Sequence, residues 1–145
     1  MSRNVEIKAK VHDHDAVVAK AVEISGVQPN FLKQHDIFYE SPNGRLKMRT
    51  VEENGEVKDL KTTLRSSMGV VGEVIKVRTL VLHDQTRIHI DRVEGLGDFM
   101  ELEVCLKPSD TVEDGQKIAD KLRDDLGISE ADLLTDAYMD MLKRL

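Results

Sequence analysis

Cysteine is nearly absent. Cys105 is the only one in 145 residues, which excludes an internal disulfide and a cysteine-built zinc site and fits a reducing compartment. Long apolar runs are missing too. No window approaches a membrane span, and the N-terminal MSRNVEIKAK lacks the apolar stretch of a signal peptide, so the cytoplasm is the expected location and no membrane partner is expected. Positive charge is not in excess either. The formal net charge is −6, which argues against a nucleic-acid binder driven by bulk charge. The histidines show no zinc spacing, and no G-x-x-x-x-G-K-S/T loop offers a backbone cradle for a nucleotide. With 33% charged and 40% hydrophobic residues, and no repeat or low-complexity linker, the chain reads as one folded domain over 1–145.

What is present is alternation. Asn4–Val11 (NVEIKAKV) sets Val5, Ile7 and Ala9 against Glu6, Lys8 and Lys10, the period of a strand. Val17, Val18, Ala21 and Val22 recur at helical spacing over Asp13–Ser25, and Gly26 offers a stop. Gln34–Ser41 reads as a second strand. Pro42–Gly44 is a turn, and a third strand runs from Gly44 to about Val51. Glu52–Glu56 signals another turn, and Leu60–Met68 reads as a short helix. Further strands follow over Glu73–His83, Thr86–Val93 and Phe99–Leu106. A helix is expected over Thr111–Leu126, with Thr111 as N-cap and Asp114 three residues on. A last helix is expected over Glu130–Leu145. Six strands and three longer helices make this an α+β domain with an antiparallel sheet.

The charges sort by strand. Arg45, Lys47 and Arg49 make one basic row, Lys76 and Arg78 another, and Glu101 with Glu103 an acidic one. A sheet covered on one side by helices leaves a polar face in water, so periodicity alone leaves a plain solvated face open. Solvated faces usually interleave signs, however, because like charges on neighbouring strands repel. The alternative is a curled sheet with its charged faces inward, since a barrel of about eight strands can hold one small ligand. Its cations would suit phosphate, for which arginine offers a planar fork. Its carboxylates would suit Mg²⁺, which takes oxygen ligands and shares them with substrate phosphates.

The segments VEIKAK, GRLKMR, IKVRT, TRIHIDRVEGLGDFMELEV and DAYMDML together resemble the CYTH superfamily of triphosphate tunnel metalloenzymes. The resemblance covers most of the chain and keeps the motifs in order. It is closest to the branch with class IV adenylyl cyclases, and the superfamily also contains thiamine triphosphatases. It implies an antiparallel β-barrel, the triphosphate tunnel, with helices packed outside. It implies phosphate binding by Lys8, Lys10, Arg45, Lys47, Arg49, Lys76, Arg78 and Arg87, and a Mg²⁺ or Mn²⁺ ion held by Glu6, Glu101, Glu103 and Asp91. Lys8 and Glu6 would be catalytic. Two departures stand out: Asn4 replaces the first glutamate of the family's E-x-E-x-K signature, and only about six strands are countable, two family strands being missing after Val51. The function implied is a metal-dependent hydrolase of triphosphate-containing small molecules, acting as a monomer or homodimer. A class IV-type adenylyl cyclase and a shortened, non-catalytic polyphosphate or nucleotide binder are the alternatives. The last helix and Tyr138 are expected to serve in packing.

Overall fold

The computed structural model describes residues 3–41, 44–53, 56–61 and 70–145. The chain forms two compact units. The first comprises Met1–Asn30, Thr79–Asp91 and Asp98–Thr135; the second comprises Phe31–Arg78, Arg92–Gly97 and Asp136–Leu145. The fold is α+β, and the strand ladders registered in both units run antiparallel.

The first unit is built on strand β1 (Arg3–Lys10), helix α1 (His14–Ser25), the later part of β5 (Val70–His83), β6 (Thr86–Val93), β7 (Gly97–Leu106), helix α2 (Val112–Asp125) and the two-residue strand β8 (Leu133–Leu134). Its strands are hydrogen-bonded in the order β5-β6-β7-β1-β8. The apolar residues of these strands and helices meet in one cluster that includes Ala9, Val17, Ala21, Ile88, Ile90, Met100, Leu102 and Leu122. Each large aliphatic side chain buried there contributes about 1.5–3 kcal/mol. Local sequence sets the helix ends. Asp13 caps α1 by accepting from the Ala16 N–H, and Gly26 stops it in the left-handed conformation at φ 70°. Thr111 and Asp114 satisfy one another's backbone N–H groups in the capping box expected for α2. Gly115 sets how closely α2 approaches the sheet, because a Cβ there would meet Leu106 and stand 2.8 Å from Val5 Cγ2.

The second unit contains β2 (Asn30–Ser41), β3 (Gly44–Glu53), β4 (Glu56–Lys61), the earlier part of β5 and helix α3 (Tyr138–Lys143), with strand order β4-β3-β2-β5. Strand β2 pairs with β3 from Leu32↔Glu53 to the closing pair Ser41↔Gly44.

Two expectations need correction. The helix expected over Leu60–Met68 is not formed at its start, where residues 60 and 61 belong to β4; residues 62–69 lie outside the described residues. Strand β4 follows β3 across Asn54 and Gly55, the residue pair that two-residue hairpins favour. That local signal outweighs the weak helical pattern, and it supplies one strand after Val51 where none was counted. The helix expected over Glu130–Leu145 is broken into a 3₁₀ turn (Glu130–Asp132), β8 and α3. Leu133 and Leu134 pair with Ala9 and Lys8 of β1, which takes their backbone out of the helix. Among the described residues the count is thus eight strands rather than six, one of them only two residues long.

Candidate active site

In the first unit, β1 and β7 bring the acidic row to its neighbours. The ladder sets Lys8 opposite Glu101 and Glu6 opposite Glu103, and residues opposed in an antiparallel ladder share a face. Lys8 Nζ lies 3.4 Å from Glu101 Oε1. Arg87, from β6, places Nε 4.0 Å from Glu103 Oε1, and the Cys105 thiol donates to the same oxygen at 3.9 Å. The reverse face of β7 carries Met100, Leu102 and Val104, all buried in the aliphatic interior. The carboxylates are therefore fixed by rigid strands, with Glu101 and Glu103 half-exposed and Glu6 exposed. On β6, His89 and Asp91 are buried, while Arg87 is exposed. Lys10 lines a cavity of about 360 Å³ together with His12, Lys20 and Asp125.

The four expected metal ligands do not form a single closed centre. Among the described residues, no three His, Cys, Asp or Glu side chains converge on a metal position. The ladder explains this: Glu101 is opposite a lysine, Asp91 is fully buried on β6, and only Glu6 and Glu103 oppose each other as carboxylates. Glu6 and Glu103 offer the oxygen donors that a divalent cation takes. Mg²⁺ asks for one or two protein carboxylates and completes its shell with phosphate oxygens and water. Two carboxylates opposed across a ladder repel each other, and a cation between them removes that repulsion.

In the second unit the charged face is the buried one. Lys76 and Arg78 are 4% and 7% exposed, whereas Val77 between them is 46% exposed. Beside Lys76 lies Asp36 of β2, a partner of two of the expected cations. Arg49 donates through Nε to Asp36 Oδ1 at 2.7 Å and through Nη2 to Oδ2 at 2.9 Å. Lys76 Nζ donates to the same Oδ2 at 3.1 Å and lies 5.5 Å from the centre of the Tyr138 ring, a cation–π distance. Burial alone would raise the Asp36 pKa. The Arg49 hydrogen bonds and the charges of Lys76 and Arg49 outweigh it and lower the value from 3.8 to about 2. Lys47 is exposed. Arg45 is placed on β3 opposite Glu40 by its backbone; its side chain lies outside the described residues.

Sequence reasoning missed Asp36 and gave Tyr138 a packing role only. The signal for Asp36 was there: counting back from the Ser41↔Gly44 closing pair puts Asp36 directly opposite Arg49.

The CYTH domain model matches the sequence over residues 2–64 and again over 53–138. No protein of curated function matches it. Among solved structures, the PH1819 protein of Pyrococcus horikoshii OT3 is 22% identical at a TM-score of 0.76, over 98% of this chain and 99% of that one. A proposed adenylate cyclase of Vibrio parahaemolyticus is 20% identical at a TM-score of 0.71, over 97% of each chain. A Hippeastrum protein, a proposed adenylyl cyclase described as having a dominant triphosphatase activity, is 11% identical at a TM-score of 0.64 over 99% of this chain and 96% of that one. At these identities the likeness is one of fold.

Proposed function

Because the chain belongs to the CYTH domain family, we propose that it is a metal-dependent hydrolase of triphosphate-containing small molecules: inorganic triphosphate, thiamine triphosphate or a nucleoside triphosphate. The observation that carries this reading is the inverted strand β5, with Lys76 and Arg78 buried and Val77 exposed. A solvated sheet face would do the opposite and keep its cations in water; here Lys76 is buried together with Asp36. The triphosphatase activity described for the Hippeastrum protein supports the reaction class.

In this proposal Arg49, Lys76 and Arg78 are the phosphate-binding residues of the second unit. In the first unit Arg87 is a phosphate-binding residue. Lys47 and Arg45 extend the basic row along β3. Glu6 and Glu103, with Glu101 beside them, hold Mg²⁺ or Mn²⁺. A divalent cation bound there supplies charge neutralisation and acidifies bound water. Lys8, 3.4 Å from Glu101, would steady negative charge on the leaving group. Catalysis is then mostly positioning and electrostatics, as phosphoryl transfer requires.

The test is phosphate release from inorganic triphosphate, thiamine triphosphate and ATP, with Mg²⁺ or Mn²⁺, for wild type and the double variant Glu101→Ala plus Glu103→Ala. We expect orthophosphate from wild type and a rate lower by about a hundredfold or more in the variant, beyond the loss typical of outer-shell partners. Cyclic AMP with pyrophosphate would replace this reading by the adenylyl cyclase one. Two equally inert proteins, both folded by circular dichroism, would remove the enzyme; triphosphate binding by calorimetry would then leave a non-catalytic binder.

A further inference from the structure

Asp36 is an odd neighbour for a phosphate site, because its charge repels the ligand that the surrounding cations attract. It is nevertheless the centre of the arrangement in the second unit. It is 2% exposed, accepts both arms of the Arg49 fork at 2.7 and 2.9 Å, and accepts from Lys76 Nζ at 3.1 Å. Measured against apolar packing such a group is a poor stabilising device, although breaking it is costly. Desolvating buried charges consumes about what their attraction returns, and well-packed apolar side chains of the same volume do as well or better.

Its geometry makes more sense as orientation. A guanidinium is planar and carries five N–H donors. Asp36 takes one from Nε and one from Nη2, which fixes the plane of the group and leaves the Nη1 edge directed away from the carboxylate. The Arg49 side chain is 28% exposed, so it is not sealed in. Lys76 is fixed in the same way from two sides, by the Asp36 carboxylate and by the Tyr138 ring of α3. Both side chains are long and lose much rotamer freedom when they bind a ligand, and fixing them beforehand removes that loss from the binding step.

The geometry points to Asp36 as a positioning residue that presets Arg49 and Lys76 as a two-cation clamp for one phosphate group of the substrate. This rests on the triphosphate reading above. It makes an uncommon prediction. By Coulomb's law alone, Asp36→Asn removes a negative charge from an anion site and should tighten binding. If Asp36 acts by positioning, the same substitution weakens it.

The experiment is calorimetric titration of inorganic triphosphate into wild type, Asp36→Asn and Asp36→Glu, with thermal melting of each to confirm folding. We expect Kd to rise at least about tenfold in Asp36→Asn and to recover in part in Asp36→Glu, which restores the charge but not the reach. Equal or tighter binding by folded Asp36→Asn overturns the proposal. Should Asp36→Asn fail to fold, Arg49→Lys takes its place, because it keeps the charge and loses the planar fork. Weaker binding there supports the clamp, and unchanged binding overturns it. If wild type binds no triphosphate, the triphosphate reading fails, and the positioning of Arg49 is judged without ligand from exchange of its Nε–H with water by NMR. Slow exchange in wild type with fast exchange in Asp36→Asn supports positioning; equal exchange in the two overturns it.

Discussion

Strands β7 and β5 carry the same kind of alternation and come to opposite ends. In Met100–Val104 of the first unit the apolar residues Met100, Leu102 and Val104 are buried, and Glu101 and Glu103 are half-exposed. In Ile75–Arg78 of the second unit Lys76 and Arg78 are buried, and Val77 is exposed. Period-two alternation says which side chains share a face. It does not say which face is covered; that depends on what packs there. Behind β7 lies an aliphatic interior built with α1 and α2. Beside β5 lie a carboxylate on β2 and an aromatic ring on α3, both able to meet a cation.

The second unit should respond to acid through Asp36, and this is the largest effect on stability we expect. Asp36 has its pKa lowered from 3.8 to about 2 by its hydrogen bonds to Arg49 and the charges of Lys76 and Arg49, against the upward push of burial. A carboxylate depressed in the folded state adds stability above its unfolded pKa and loses it as pH falls through the folded value. The contribution is about 2 kcal/mol, complete above about pH 4 and gone near pH 2. Urea unfolding of wild type and Asp36→Asn over this range checks it. The gap between the two should be widest at the upper end and close toward pH 2. A gap that does not change with pH would mean that the carboxylate charge does not hold the second unit together.

Glycines give the next comparison. A Cβ at Gly115 would stand 2.8 Å from Cγ2 of Val5, and one at Gly72 would stand 2.8 Å from Sδ of Met139. Alanine gains up to about 1 kcal/mol over glycine inside an element, whereas overpacking costs about 1–3 kcal/mol. The neighbour decides which wins. Val5 is β-branched and stiff at χ1, so Gly115→Ala should lose about 1 kcal/mol. Met139 is unbranched and adapts, so Gly72→Ala should change stability by less than about 0.5 kcal/mol. Denaturant midpoints of the two variants measure the difference; equal losses would make Met139 as unyielding as Val5.

These contrasts also show what was legible in the sequence. Strands β1, β2, β3, β5, β6 and β7 and helices α1 and α2 could be read from periodicity and caps, down to the Thr111–Asp114 pair. Each has either a clean apolar stripe or a side-chain cap, and both are local signals. Strand β4 was hidden because its support comes from pairing with β3. The C-terminal segment was hidden because Leu133 and Leu134 look helical until β1 competes for their backbone. The candidate site divides in the same way. The rows of like charge were visible, and so was the resemblance they carry. Asp36 was overlooked, because a lone carboxylate gains meaning only once the register is counted back from the Ser41↔Gly44 pair to set it opposite Arg49.

The smallest expected effect on stability belongs to the rim of the first unit, where Arg87 lies 4.0 Å from Glu103 with half of its side chain in solvent. Exposed pairs at this distance contribute about 0–1 kcal/mol, because water screens the attraction and ordering two long side chains offsets the rest. Arg87→Ala should therefore shift the denaturant midpoint by an amount equivalent to less than about 0.5 kcal/mol, unlike Asp36→Asn. Its effect on inorganic triphosphate affinity is a separate matter. Loss of one phosphate contact should weaken binding about tenfold, and the loss should shrink as salt is added, because an exposed charge is screened. Measured together, a stable protein with weaker, salt-sensitive binding assigns Arg87 to the ligand. A stable protein with unchanged binding assigns it to Glu103 alone, and leaves phosphate recognition to the buried cations of β5.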